Sequence, residues 1–226
     1  MVSCSEEQET ALRPQDAKST PMTFLVSHPG QATRATETSF EQNDRIGLYV
    51  ADAKAQLEIG GNLVNNEALT YDGSKWAAAR TLYWDKGTYT AYAYYPYMED
   101  VSSITDQPFS VVLDQSTAKS KETLGGYEAS DLLFASSKNI SASASPIPLN
   151  FKHIMSKLKI RLVKGEDFDG DMPTTAQVTI HNTVPTATID LQAGVATRYV
   201  KGTRKSIIAH QDDATSYSAI IVPQRI

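Results

Sequence analysis

The sequence predicts an all-β protein laid out as two β-sandwiches in tandem. Three observations carry this. Residues 71–97 (YDGSKWAAARTLYWDKGTYTAYAYYPY) hold both tryptophans and seven of the eleven tyrosines between two turn signals. Aromatic and β-branched residues fit a pleated, half-buried surface. Short alternating runs recur along the chain at roughly the 8–12-residue spacing of a sandwich. The alternation also changes parity between His153 and Ser156: Ile147, Leu149 and Phe151 share one face, and Leu158, Ile160 and Leu162 then fall on the opposite parity. A one-residue change of register turns every side chain over, so a bulge or a crossing between domains belongs there. The expected layout is a tether over 1–20, a first sandwich over 21–153 and a second over 154–226.

Taken in order, residues 22–27 (MTFLVS) form the first strand candidate, with Met22, Phe24 and Val26 on one side. A long polar loop follows, containing Thr33-Arg34-Ala35-Thr36. Loops of that length in compact domains tend to be functional or disordered. Residues 44–51 alternate, with Ile46, Leu48 and Val50 inward and Arg45, Gly47 and Tyr49 the other way. Asp72-Gly73 is the dipeptide of a two-residue type I′ hairpin, because Gly and Asn/Asp tolerate positive φ. Asp85-Lys86-Gly87 makes a second reversal. In the strand after it, Tyr92 and Tyr94 face one way and Ala91 and Ala93 the other, so a second layer can approach closely on the alanine side. Pro96 ends that strand, having no N–H for a ladder.

Residues 109–113 and 131–135 are further strand candidates, separated by a polar, glycine-bearing stretch that reads as an exposed loop. Residues 136–146 are small and polar, a surface crossing. Beyond the parity change, AQVTIHN, TATIDL, ATRYV, SIIA and SYSAIIV are short strands. No stretch has helical periodicity.

Composition excludes several functions. The net charge is −5 with scattered Lys and Arg, leaving no basic stripe for phosphate contacts, so nucleic acid is not an expected partner. No run approaches transmembrane length. Cys4 is the only cysteine, so no internal disulfide framework exists. Met1-Val2-Ser3-Cys4 reads either as the tail of a bacterial lipobox or as a free thiol beside a polar tether. No cofactor is expected: Gly60-Gly61 and Gly125-Gly126 lack the Lys-Ser/Thr of a phosphate loop. No metal site is expected either. His28, His153, His181 and His210 are dispersed, and His153 reads as a junction residue. The acidic run 166–171 lacks the bidentate glutamate of a calcium loop, because Val178 stands at that position. No GxSxG elbow or nominated carboxylate pair argues for an enzyme. Trp76, Trp84 and the tyrosines could form a stacking platform for sugars, although period-two aromatics more often build core and rim.

In combination, SFEQNDRIGLYVA, the DGSKW turn, LYWDKGTYTAYAYYPY, SDLLFA and LNFKHIMSKLKIRL resemble the fimbrillin family of Bacteroidetes surface lipoproteins, from about residue 23 to residue 224. The resemblance implies two transthyretin-like sandwiches in a subunit of type V fimbriae (pili) that mediate adhesion. It implies lipidation at Cys4 and anchoring to the outer membrane. It makes Arg34 the candidate for cleavage by an Arg-specific protease, which would free the strand bearing Met22, Phe24 and Val26. A strand donated by the C-terminal end of another subunit would fill the groove, and a host or glycan ligand would be the adhesion target. Members of the family continue past the SAIIVPQ strand, so the second sandwich is expected to be incomplete here, as in a fragment or a subunit completed by a partner. The alternative function is a surface carbohydrate-binding lipoprotein.

Overall fold

The computed structural model describes residues 20–32, 39–120 and 123–225. Those residues are almost entirely strand and loop, with two short 3-10 helices, Pro29–Ala32 and Glu128–Ser130. The strands up to His153 are β1 (Phe24–Ser27), β2 (Arg45–Asp52), β3 (Val64–Tyr71), β4 (Trp76–Ala78), β5 (Thr88–Tyr95), β6 (Gln107–Ser110), β7 (Leu133–Ser141), β8 (Ile147–Asn150) and β9 (Lys152–His153). After it come β10 (Ser156–Arg161), β11 (Thr179–Thr183), β12 (Thr186–Asp190), β13 (Val195–Arg198), β14 (Lys205–Ile208), β15 (His210–Gln211) and β16 (Ser216–Ile221).

The largest sheet is antiparallel, in the order β4-β3-β2-β5-β7-β9. Its two middle strands, β2 and β5, are buried on both faces, so alternation sorts their side chains between two cores rather than between core and water. Ile46, Leu48, Val50, Ala91 and Ala93 join one apolar cluster with Met22, Ile147, Leu149 and Phe151. Tyr49, Ala51, Tyr92 and Tyr94 join the other, with Ile189, Tyr217 and Ile220. The alanines lie on the face where β1 and β8 pack, as their small size predicts.

The parity change is visible as a passage between these cores. Phe151 belongs to the first cluster and Met155 to the second, with Leu158, Ile160 and Leu162 packed against the second. Beyond it lie the small sheets β10-β16-β15, β11-β14 and β13-β12-β6. In the last of these, β6 comes from well before His153 and pairs antiparallel with β12, Gln107 opposite Ile189.

Four local expectations are corrected. The Asp72-Gly73 turn is a four-residue loop, since Tyr71 pairs with Trp76. The Asp72 carboxylate accepts from the N–H groups of Ser74 and Lys75, at 2.8 and 2.9 Å, and so organises a wider reversal. The strand expected at 109–113 lies at Gln107–Ser110: Val111 N–H still bonds Pro185 O at 2.9 Å in the register of β12, but Pro185 has no N–H to return and the ladder stops there. The expected surface crossing at 136–146 is strand as far as Ser141, continuing the ladder with β5 past an irregularity at which Asn139 adopts positive φ (58°). The loop between residues 113 and 131 buries Gln115, Tyr127 and Ser130, so it is not simply exposed.

Candidate functional site

The docked first strand is the candidate feature. β1 runs parallel to β8, with Phe24, Leu25, Val26 and Ser27 opposite Ile147, Pro148, Leu149 and Asn150. Alternation gives it one apolar side: Met22 is buried, Phe24 and Val26 are half-buried against the same cluster, and Leu25 points outward at 64% exposure. Fully burying a side chain of this kind contributes about 1.5–3 kcal/mol. Just before β1, the chain bonds to the segment after β4: Met22 N–H donates to Leu82 O at 2.8 Å, and Trp84 N–H donates to Thr20 O at 2.9 Å. Among the described residues, β1 therefore has one ladder partner, over four residues, and a short brace at its start.

At its far end β1 runs into a ring cluster. Phe40, one residue into the described stretch that begins at Ser39, meets His28 edge-on at 4.8 Å between centroids. It also meets Trp76, Tyr95 and Phe151 at 5.0, 5.4 and 5.6 Å. Phe40 thus closes the first core over the end of the strand. Beneath it, the buried Asp44 carboxylate accepts from Lys119 Nζ (3.1 Å), Glu41 N–H (2.8 Å) and the Tyr95 hydroxyl (3.4 Å). Burial opposes the charge on Lys119, but its bonds to Glu41 and Asp44 outweigh that and hold the ammonium above its ordinary range. Burial pushes the Tyr95 hydroxyl up, and the neighbouring Asp44 charge adds to it.

Met22, Phe24 and Val26 are brought together here. Cys4 and Arg34 lie outside the described residues. Trp76 and Trp84 are both buried, at 9% and 4% exposure, so neither offers an open face on which a sugar could stack. Trp76 stacks on Tyr71 at 5.2 Å and Trp84 leans on Tyr89 at 5.5 Å. The acidic run 166–171 is exposed, and among the described residues no group of three or more His, Cys, Asp or Glu side chains is arranged to hold a metal ion. Sequence reading missed Phe40, His28, Asp44 and Lys119 as a set. The one available signal was a lone phenylalanine in an otherwise polar loop.

Comparison with known proteins gives a consistent picture. Residues 33–226 match the sequence profile described as fimbrillin-like. A Bacteroides uniformis protein named as a fimbrium subunit, Fim1C, is 26% identical over an alignment covering 97% of this chain and 70% of the relative. A Bacteroides ovatus protein named as a fimbrium tip subunit, also Fim1C, is 28% identical over 62% of this chain. That match spans 27% of the relative's own length, so the chain aligns with only about a quarter of it. Among solved structures, a cell adhesion protein of Bacteroides uniformis superposes with a TM-score of 0.65 at 22% identity, covering 93% of this chain and 76% of the other. One from Bacteroides ovatus gives the same TM-score at 17% identity, covering 92% and 79%. At such identities the superpositions speak for a shared fold.

Proposed function

Because the chain belongs to the fimbrillin-like family, we propose that it is a structural, adhesive subunit of a fimbrium at the cell surface, joined to its neighbours by strand exchange. The observation that carries the reading is the manner in which β1 is held: one four-residue parallel ladder, a brace at its start, and an apolar side of Met22, Phe24 and Val26. A strand held in this way can leave without dismantling the large sheet. Its departure would unpair Ile147 N–H and Phe151 N–H, which donate to Thr23 O and Ser27 O. It would also open the cluster around Leu149. Unpaired backbone beside an apolar floor is a receptor for an added strand, which brings hydrogen bonds and side chains together.

In this reading a protease cuts at Arg34, the unit over 21–153 gives up its first strand, and a neighbouring subunit donates the replacement. Lipid at Cys4 ties the assembly to the outer membrane, and the adhesion target is a host or glycan ligand. Fatty-acid labelling of wild type against Cys4→Ala checks the anchor; equal labelling in both counts against it. Strand exchange is tested with trypsin. Cleavage near Arg34 should lower the melting temperature once the strand is washed out, and a peptide copying residues 22–27 should restore it. If cutting there leaves the melting temperature unchanged, or the peptide restores nothing, the exchange reading is wrong.

A further inference from the structure

Two histidines meet where β1 and β8 run out. Because these strands are parallel, with Ser27 opposite Asn150, they leave their ladder at the same end, and the residues after them arrive together. His28 follows Ser27 directly, and His153 closes β9. Their ring centroids lie 6.2 Å apart, with the planes at 85°. Nδ1 of His28 accepts the N–H of Gly30 at 3.0 Å, so that nitrogen carries no proton and the ring is neutral. Nδ1 of His153 lies 2.9 Å from Asp131 Oδ1, a contact that strengthens when the imidazole is charged.

The carboxylates nearest His28 already have partners of their own. Asp131, in the turn before β7, is engaged by His153. Asp44, at the entry to β2, is engaged by Lys119, the Tyr95 hydroxyl and Glu41 N–H. Glu41, Glu128 and Lys119 line the same small cavity, of about 110 Å³, together with Tyr127. Burial, followed by repulsion from His153, outweighs the pull of Asp131 and Asp44 and holds the His28 imidazole below its ordinary value of 6.5.

We propose that the His28–His153 pair is an acid-sensitive latch on the end of β1, which grips the strand while the His28 ring is neutral and loosens when that ring is protonated beside His153. A proton arriving at His28 must occupy Nδ1, the atom that accepts from Gly30, so it displaces that bond. It also sets a second positive charge beside His153. Once the strand is released, His28 titrates at its ordinary value. The docked form therefore carries no penalty above that value and loses stability as pH falls through it toward the lowered one. Use of the latch in assembly rests on the strand-exchange reading, but the latch belongs to the intact chain and is tested there, without cleavage or donor, so the two can fail separately.

The test is amide hydrogen exchange of the intact chain at about pH 7.5 and about pH 5.5, corrected for the intrinsic pH dependence of exchange and run on wild type, His28→Gln and His153→Gln. In wild type, protection of β1 should fall about threefold or more at the lower pH relative to β2 and β5. His28→Gln should lose that difference, and His153→Gln, which removes the repulsion but keeps the Gly30 bond, should reduce it to less than half. If His28→Gln does not fold, as judged by β2 protection at the higher pH, His153→Gln decides alone. The latch is overturned if β1 in wild type loses no more protection than β2, or if the folded variants keep the wild-type acid response.

Discussion

The side chain of Gln115 stands in for a strand residue opposite Ile220. Its Nε2 donates to Ile220 O at 2.7 Å and its Oε1 accepts Ile220 N–H at 2.8 Å, across 105 positions of sequence. Gln115 is fully buried, and its own N–H bonds Ile208 O at 2.9 Å, so one residue ties β14 to β16. Replacing it with leucine leaves a buried donor and a buried acceptor on Ile220 unpaired. Gln115→Leu should lower unfolding stability by about 2–4 kcal/mol in urea titration. A loss below about 0.5 kcal/mol would show that water or relaxation replaces the amide.

Gly47 owes its place to a close approach. It pairs with Tyr94 across β2 and β5, and a Cβ built there would sit 2.3 Å from Tyr94 Cζ. The ring is pinned in turn by its hydroxyl, which bonds Asn66 Oδ1 and Met98 O. Gly47→Ala should therefore cost about 1–3 kcal/mol, as overpacking does. Gly60, whose Cβ would meet nothing within 4 Å, serves as the control, and Gly60→Ala should stay within about 0.5 kcal/mol of wild type.

Trp84 separates the structural role of the aromatics from a sugar-binding one. Its indole is buried in the first core, and its Nε1 has no hydrogen-bond partner among the described residues. Trp84→Ala should cost about 3–5 kcal/mol in thermal or chemical unfolding. A variant that keeps its stability but loses saturable binding on a glycan array would instead favour the carbohydrate-binding alternative.

Alkaline titration reads the same burial from another side. Burial, with Tyr97 adding to it, pushes Tyr49 up to about 12, and burial drives Tyr94 and Tyr95 higher still. A raised phenol resists ionising in the folded chain, so the stability it contributes is whole below its ordinary value of 10.0 and drains away as pH climbs through and beyond it. Ultraviolet-difference titration should show these three phenols lagging the others until the fold gives way. A single transition at the ordinary value, in protein that is still folded, would contradict their burial.

Period-two alternation and parity are local properties of a chain, and they were legible. They placed Ile46, Leu48 and Val50 together, set Ala91 and Ala93 against Tyr92 and Tyr94, picked out the apolar side of Met22, Phe24 and Val26, and put the parity change between His153 and Ser156, overlapping the stretch over which the chain passes from the core of Phe151 to that of Met155. Backbone geometry dictates which face a residue takes once a strand forms, so the sequence alone carries that much. Tertiary structure decided which segments meet. Ser27 finds Asn150 across 123 positions, His28 reaches His153, and Gln115 reaches Ile220. Buried polar residues such as Gln115 and Ser130 take bonds from backbone elsewhere in the chain, Ile220 for the one and Val112 for the other. No periodic trace marks such pairings, because a hydrogen bond between remote segments depends on where the whole chain has brought them and not on their neighbours in sequence.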